Sequence, residues 1–310
     1  MTKLGTSDLD VSRLCLGGNV FGWTADEEAS FAVLDAFAAA GGNFVDTADA
    51  YSVWAEGHVG GESETIIGRW LRSRGNRDAI VVATKVGSLP GLDNLRAATI
   101  ERAAEDSLRR LGVDHIDLYY AHKDDPGTPQ EETLAAFDRL VRAGKVRHVA
   151  ASNYTAERLT SALAVSEREG FARFVALQQA YNLVDRSYEG ELSRAVADHG
   201  LASAPYWGLA KGFLTGKYRP GVAVDGPRAA GASKYLDERG LRVLAALDEI
   251  AESHDTTQAA VALAWLAEQP TVAAPIASAR SATQLADLLP ALHLELKADE
   301  VAALSAASSV

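Results

Sequence analysis

The sequence predicts an α/β protein folded as a (β/α)8 TIM barrel, with a short N-terminal hairpin and extra helices and loops near the C-terminus. Three observations carry this expectation. Short apolar runs alternate with longer segments of helical period nearly from end to end. The apolar runs number eight, the strand count of a closed barrel. The first run lacks the G-x-G-x-x-G of an open dinucleotide-binding sheet, because Gly17-Gly18 is followed by Asn19, Val20 and Phe21.

In chain order, residues 3–13 contain a Gly-Thr-Ser-Asp turn and read as a hairpin ahead of the first strand. Strands are expected at residues 13–17, 43–46, 79–84, 116–121, 146–151, 174–178, 201–206 and 272–275. Most are dominated by apolar side chains, as parallel strands covered on both faces must be. Residues 99–111 show the helical period: Ile100, Ala103, Ala104, Leu108 and Leu111 fall three or four apart, with Glu101, Arg102 and Asp106 off that stripe. Gly112 then supplies a stop. Residues 28–40 before Gly41 and 132–143 before Gly144 read the same way. The longest irregular stretch, residues 218–233, is rich in Gly, Pro and Ala, and a loop of that length is usually functional or disordered. No repeat or low-complexity linker divides the chain, so residues 1–310 are expected to form a single domain.

Composition narrows the function classes. The chain has 310 residues, 47% hydrophobic and 23% charged, with a net charge of -12. That acidic balance argues against nucleic acid or an acidic membrane as partner, since phosphate neutralisation needs a basic surface. One phosphorylated cofactor remains compatible, because it needs only a few local cations. Cys15 is the only cysteine and lies in an apolar run, which reads as a buried small hydrophobe. Four-cysteine zinc sites, thiolate-held iron–sulfur clusters and intrachain disulfides are excluded. The N-terminal MTKLGTSDLD carries no apolar secretion segment, and no run approaches a membrane span of about 18 apolar residues. A cytoplasmic protein is expected.

A barrel places its site at the C-terminal ends of its strands. The polar residues there are Asp46 after strand two, with Tyr51 five residues on, Lys85 after strand three and His122 after strand four. Ser152 and Asn153 follow strand five, Gln178 and Gln179 strand six, and Tyr206 strand seven. Singly, each has a bland reading: Asp46 as a helix cap, His122 as a structural histidine, Tyr51 as core or rim. Lys85 is harder to dismiss, since a partly buried ammonium needs an anion, and Asp46 is the natural one. Together they make a proton-donating device. A tyrosine is a poor acid at neutral pH, and a nearby ammonium stabilises its phenolate and lowers its pKa toward useful acidity. Asp46 would hold Lys85 charged, while His122, neutral or protonated, polarises the carbonyl oxygen that meets Tyr51. No side chain supplies hydride, so a cofactor is implied.

These residues sit in motifs that resemble the aldo-keto reductase family over nearly the whole chain. They are DTADAYS at residues 46–52, GGESETIIGRWL at 60–71, VVATKVG at 81–87, SLRRLGVDHIDLYYAHKDDP at 107–126, AGKVRHVAASNY at 143–154, QQAYNLV at 178–184, PYWGLAKGFLTGKY at 205–218 and PIASARSATQL at 275–285. In detail the chain is similar to the bacterial branch related to voltage-gated potassium-channel β subunits. The resemblance implies a catalytic tetrad of Asp46, Tyr51, Lys85 and His122, with Tyr51 as proton donor. It implies that Ser152, Asn153 and Gln178 hold a nicotinamide carboxamide against Tyr206. Trp207, Gly208, Leu209, Lys211, Gly212 and Lys217 would follow the pyrophosphate. Ser278, Arg280, Gln284 and Asp287 would take the adenosine end, where an arginine suits a 2′-phosphate, so NADP(H) is the expected cofactor. Two positions depart from the family. Leu288 falls near an adenine-binding asparagine, and Trp207-Gly208 replace the usual Ser-Pro.

A small-molecule carbonyl is the expected partner, with Phe21, Trp23, Trp54 and Trp207 as candidate pocket walls. His58 reads as a loop residue, and no metal site is expected, with seven histidines and no H-x-H pair. The sequence leaves the oligomeric state open between monomer and homo-oligomer. Lys85 as a Schiff-base nucleophile is the rival chemistry. An NADP(H)-sensing module of the channel β-subunit type, with slow turnover, is the rival class, and it would carry the same tetrad.

Overall fold

A computed structural model describes residues 1–224 and 229–309. The hairpin forms as expected, with β1 (Thr2–Lys3) antiparallel to β2 (Asp10–Val11). The parallel strands are β3 (Cys15–Gly17), β4 (Phe44–Asp46), β5 (Val81–Val86), β6 (Ile116–Ala121), β7 (Val146–Ser152), β8 (Phe174–Gln178), β9 (Ala202–Ser203) and β10 (Ile276–Ala277). They pair in chain order from β3 to β9, and β10 returns beside β3. Backbone bonds close the remaining seam: Ser203 N–H to Thr271 O at 2.7 Å, Ala273 N–H to Ser203 O at 2.9 Å and Ile276 N–H to Pro205 O at 2.8 Å. The sheet is therefore a (β/α)8 barrel.

Around it run α1 (Glu27–Ala39), α2 (Glu62–Arg74), α3 (Ala97–Leu111), α4 (Gln130–Arg142), α5 (Ala156–Glu169) and α6 (Glu191–Asp198), one after each strand from β3 to β8. The β9–β10 connection carries α7 (Ala229–Ala232), α8 (Glu238–Ser253) and α9 (Gln258–Ala267), and α10 (Ala282–Ala286) and α11 (Ala298–Ala307) follow. The helix expected over residues 99–111 starts two residues earlier, and Gly112 ends it in the left-handed conformation. Of the irregular stretch 218–233, residues 225–228 lie outside the described residues, and its C-terminal end forms α7.

Three boundaries differ from expectation. β5 runs over Val81–Val86 because residues 77–79 form a 3-10 turn, so Lys85 lies inside the strand rather than after it. The seventh strand keeps a ladder of only two residues, Pro205 ending its run. The eighth lies at Ile276–Ala277, and Thr271 and Ala273, ahead of it, share the closing bonds with Ile276.

Side chains alternate between the two faces of each strand. Cys15, Phe44, Val81, Ala83, Leu118, Ala150 and Ala176 point inward and pack on one another. Leu4, Leu9 and Val11 of the hairpin join them, plugging the floor of the barrel. Gly5 lets the plug seat: its φ is +58°, and a Cβ there would lie 2.2 Å from Val175 O. Cys15 is fully buried, as expected. The same alternation then fixes the top of the barrel, because Asp46, Lys85 and Ser152 share the inward parity of Phe44, Ala83 and Ala150.

Candidate active site

The chain leaving β4 stays bonded to β5, with Thr47 N–H to Ala83 O at 2.8 Å and Asp49 N–H to Lys85 O at 3.3 Å. This carries Tyr51 back over Lys85, whose ammonium lies 4.5 Å from the ring centre. Lys85 Nζ donates to Asp46 Oδ2, Thr47 O and the Tyr51 hydroxyl, each at 2.7 Å. Tyr51 in turn donates to Asp46 Oδ2 at 2.8 Å. Gln178 Nε2 completes the carboxylate by donating to Oδ1 at 2.8 Å. Lys85 and Asp46 are 0% and 1% exposed, so the pair is stable only because nearly every polar position is bonded.

Burial first, then the charge of Asp46, pushes the Tyr51 phenol well above its ordinary value. The lowering expected from the lysine is outweighed, and the hydroxyl stays protonated. Burial draws the Lys85 ammonium down, against the attraction of Asp46. The His122 imidazole, desolvated and facing Lys85 and Lys123, is pulled from 6.5 to about 3 and is neutral at physiological pH. Its ring lies 6.1 Å from that of Tyr51, and its buried Nδ1 has no hydrogen-bond partner among the described residues.

Asp46, Tyr51 and His122 open onto a cavity of about 620 Å³. Ser152, Asn153, Gln178, Tyr206, Trp207, Gly208, Leu209, Lys211, Gly212, Lys217, Ser278, Arg280, Gln284, Asp287, Trp23 and Trp54 line it as well. The tetrad and cofactor residues named from the sequence thus all line it except Lys85, which lies beneath Asp46 and Tyr51. Tyr206 donates its hydroxyl to Asn153 Oδ1 at 2.8 Å, and Asn153 Nδ2 reaches His122 O at 2.9 Å. Trp207, Ala210, Lys211 and Gly212 all have positive φ, bending the chain tightly around one end of the cavity. The Lys211 ammonium covers the Trp207 ring at 4.6 Å. Arg280 is exposed at the rim, and its guanidinium has no acid partner among the described residues. Leu288 is buried in the cavity wall, as an apolar surface.

Phe21 is not a pocket wall: it is fully buried in the core between barrel and helices. Trp23 and Trp54 meet edge to face at 5.6 Å, and Trp54 reaches Tyr51 at 6.2 Å. His58 stays in its loop, with Nδ1 3.7 Å from Glu62 Oε1 at the start of the next helix. Gln179 points away and donates to Ser203 Oγ at 2.8 Å. Asn19 has no site role in the sequence reading, yet it lines the cavity and accepts from Ser278 Oγ at 2.6 Å. Applying the strand-end rule to β3 would have found it. Thr257 and Gln258 also line the cavity, from the start of α9, where no strand end points to them.

Among the described residues no helix is long and apolar enough to cross a membrane. A sequence profile of the Aldo/keto reductase family matches residues 13–309. The chain is 36% identical over 304 residues to an oxidoreductase of Bacillus subtilis named YrpG, covering 95% of this chain and 91% of the other. It is 33% identical to norsolorinic acid reductase stcV of Emericella nidulans, over 94% of this chain and 76% of that one. It is also 33% identical to a probable voltage-gated potassium channel subunit beta of Oryza sativa, over 94% and 90%. The chain belongs to the aldo/keto reductase family, on the branch that includes the plant channel β subunits.

Proposed function

We propose that the protein is an NADP(H)-dependent reductase that converts an aldehyde or ketone to an alcohol, with Tyr51 as proton donor. One observation carries this reading: a protonated phenol stands at the cavity, its oxygen receiving from a buried ammonium and its proton held by a carboxylate. The cavity also suits a nicotinamide dinucleotide. Ser152, Asn153 and Gln178 offer amide partners beside Tyr206. The glycine-bearing bend at residues 207–212, with Lys211 and Lys217, suits a pyrophosphate. Arg280 suits a 2′-phosphate, which favours NADP(H) over NAD(H). The nicotinamide, when bound, supplies hydride to the carbonyl carbon.

Everything else falls to this chain. The Tyr51 proton turns from Asp46 to the carbonyl oxygen, and Lys85, already donating to the phenol oxygen, stabilises the phenolate left behind. Asp46 keeps that ammonium charged and fixed. Neutral His122 polarises the same carbonyl oxygen. Trp23 and Trp54 wall the outer end and favour apolar or aromatic carbonyls. Schiff-base chemistry at Lys85 is disfavoured, since its nitrogen is fully buried with three hydrogen bonds.

NADPH oxidation across a panel of aldehydes and ketones tests this. Tyr51→Phe should lower kcat by about 10²–10⁴, the span of general acid catalysis. Equal rates for both proteins would remove Tyr51 as the acid. Absence of turnover with every carbonyl, alongside tight NADPH binding, would favour the cofactor-sensing role instead.

A further inference from the structure

Asp46 has two oxygens with different work. Oδ2 receives both Lys85 and Tyr51, and Oδ1 receives Gln178 Nε2 at 2.8 Å. The bond is shut off from water, Asp46 being 1% and Gln178 3% exposed. A carboxylate paired with an ammonium only accepts, so the Gln178 atom facing it has to be the amide nitrogen. That fixes the flip of the amide. Gln178 Oε1 therefore faces away from Asp46, has no hydrogen-bond donor among the described residues and is not enclosed, and Gln178 lines the cavity. Its neighbour Gln179 shows the contrast: its oxygen is sealed in the wall without a partner among the described residues, and it does not line this cavity.

We propose that Gln178 is a positioning residue acting through Asp46, and that Asp46 in return orients the Gln178 oxygen as an obligate acceptor toward the cavity. The bond holds the carboxylate so that Oδ2 meets Lys85 and Tyr51 together. It also dictates that the ligand group opposite Oε1 is a hydrogen-bond donor, such as a primary amide. The proton-donating side and the ligand-reading side thus share one hydrogen bond. This inference rests on the nicotinamide reading given above.

A binding experiment separates the two claims. NADP⁺ and its 3-acetylpyridine analogue, which has a methyl ketone in place of the primary amide, are titrated against tryptophan fluorescence. The protein should favour the amide about tenfold, the scale of one hydrogen bond. Asp46→Asn presents an amide that can donate or accept, which frees Gln178 to flip. Discrimination should then fall to about threefold or less. Gln178→Met should abolish it, and the double variant should lose nothing more. Full discrimination in Asp46→Asn would overturn the orienting role. Binding of both dinucleotides with no preference would overturn the inference alone, and binding of neither would overturn the nicotinamide reading with it.

Turnover gives the second readout. Without the Gln178 donor, Asp46 holds the Tyr51 proton more tightly. In Gln178→Met, kcat should fall about tenfold and the alkaline limb of its pH profile should move up. An unmoved limb with only weaker cofactor binding would make Gln178 a ligand contact and nothing more. Melting curves confirm that both variants fold.

Discussion

Asp46 and Asp49 stand three residues apart in one loop, both 1% exposed, and the barrel treats them in opposite ways. Asp46 faces the inside, where an ammonium, a phenol and an amide satisfy its oxygens. Asp49 faces the layer between barrel and helices, where neither of its oxygens has a hydrogen-bond partner among the described residues. Burial, together with the charge of Glu64, pushes the Asp49 carboxyl from 3.8 up to about 8, against the pull of Arg110. Glu64 itself is satisfied by Thr84 Oγ1 and by Arg110 Nε at 2.6 Å. Burial alone therefore decides little. Donors converge on Asp46 and not on Asp49, and it is the Asp49 carboxyl that burial drives toward its protonated form.

The largest effect expected from this contrast is at Lys85. Lys85→Met removes the cation and leaves Asp46 buried without it, which should destabilise the fold by about 3–5 kcal/mol. Turnover should fall at least as far as in Tyr51→Phe, since the phenolate loses its stabiliser. Denaturant unfolding at pH 7 measures the first, and NADPH oxidation the second. Unchanged stability would mean that Asp46 does not depend on its cation, and the contrast would fail.

Asp49→Asn should act with the opposite sign. The folded protein keeps a proton on Asp49 that the unfolded chain releases above about pH 4. The folded state thus binds more protons, and stability falls as pH rises from about 4 to about 8. Asparagine has no such ionisation. The variant should match the parent near pH 4 and exceed it by on the order of a few kcal/mol at pH 8. Parallel unfolding curves across that range would show that Asp49 already finds partners in solution.

The inner half of this contrast was legible in the sequence, and the outer half was not. Apolar runs ending in Asp46, Lys85 and His122 point to one barrel mouth, because strand direction and mouth are linked for every strand. Strand lengths were less legible where Pro205 and Pro275 interrupt the ladders, and this shifted the eighth strand. No periodicity directs the side chains in the loop after β4. Asp49 lies in DTADAYS beside two site residues, yet its neighbours Glu64 and Arg110 come from α2 and α3. Its burial depends on how those helices pack, which no local pattern records. The direction of the Tyr51 shift was misjudged for a related reason: a charge in sequence is visible, and desolvation is not.

The smallest effect tests the division at a single peptide bond. Thr84 and Lys85 are consecutive in β5, so their side chains leave the sheet on opposite faces. Thr84 donates to Glu64 on the outer face, while Lys85 donates to the site. Thr84→Val keeps the shape and removes one hydrogen bond to a charged, fully buried carboxylate, a loss of about 1.5–3 kcal/mol. Arg110 still holds the other Glu64 oxygen, so the fold should survive with a lower melting temperature. Turnover should stay within about twofold, because no donor or acceptor of the inner network is touched. A large drop in kcat with an ordinary melting curve would show that the two faces of β5 are coupled. Asp46 and Asp49 would then belong to one network rather than two.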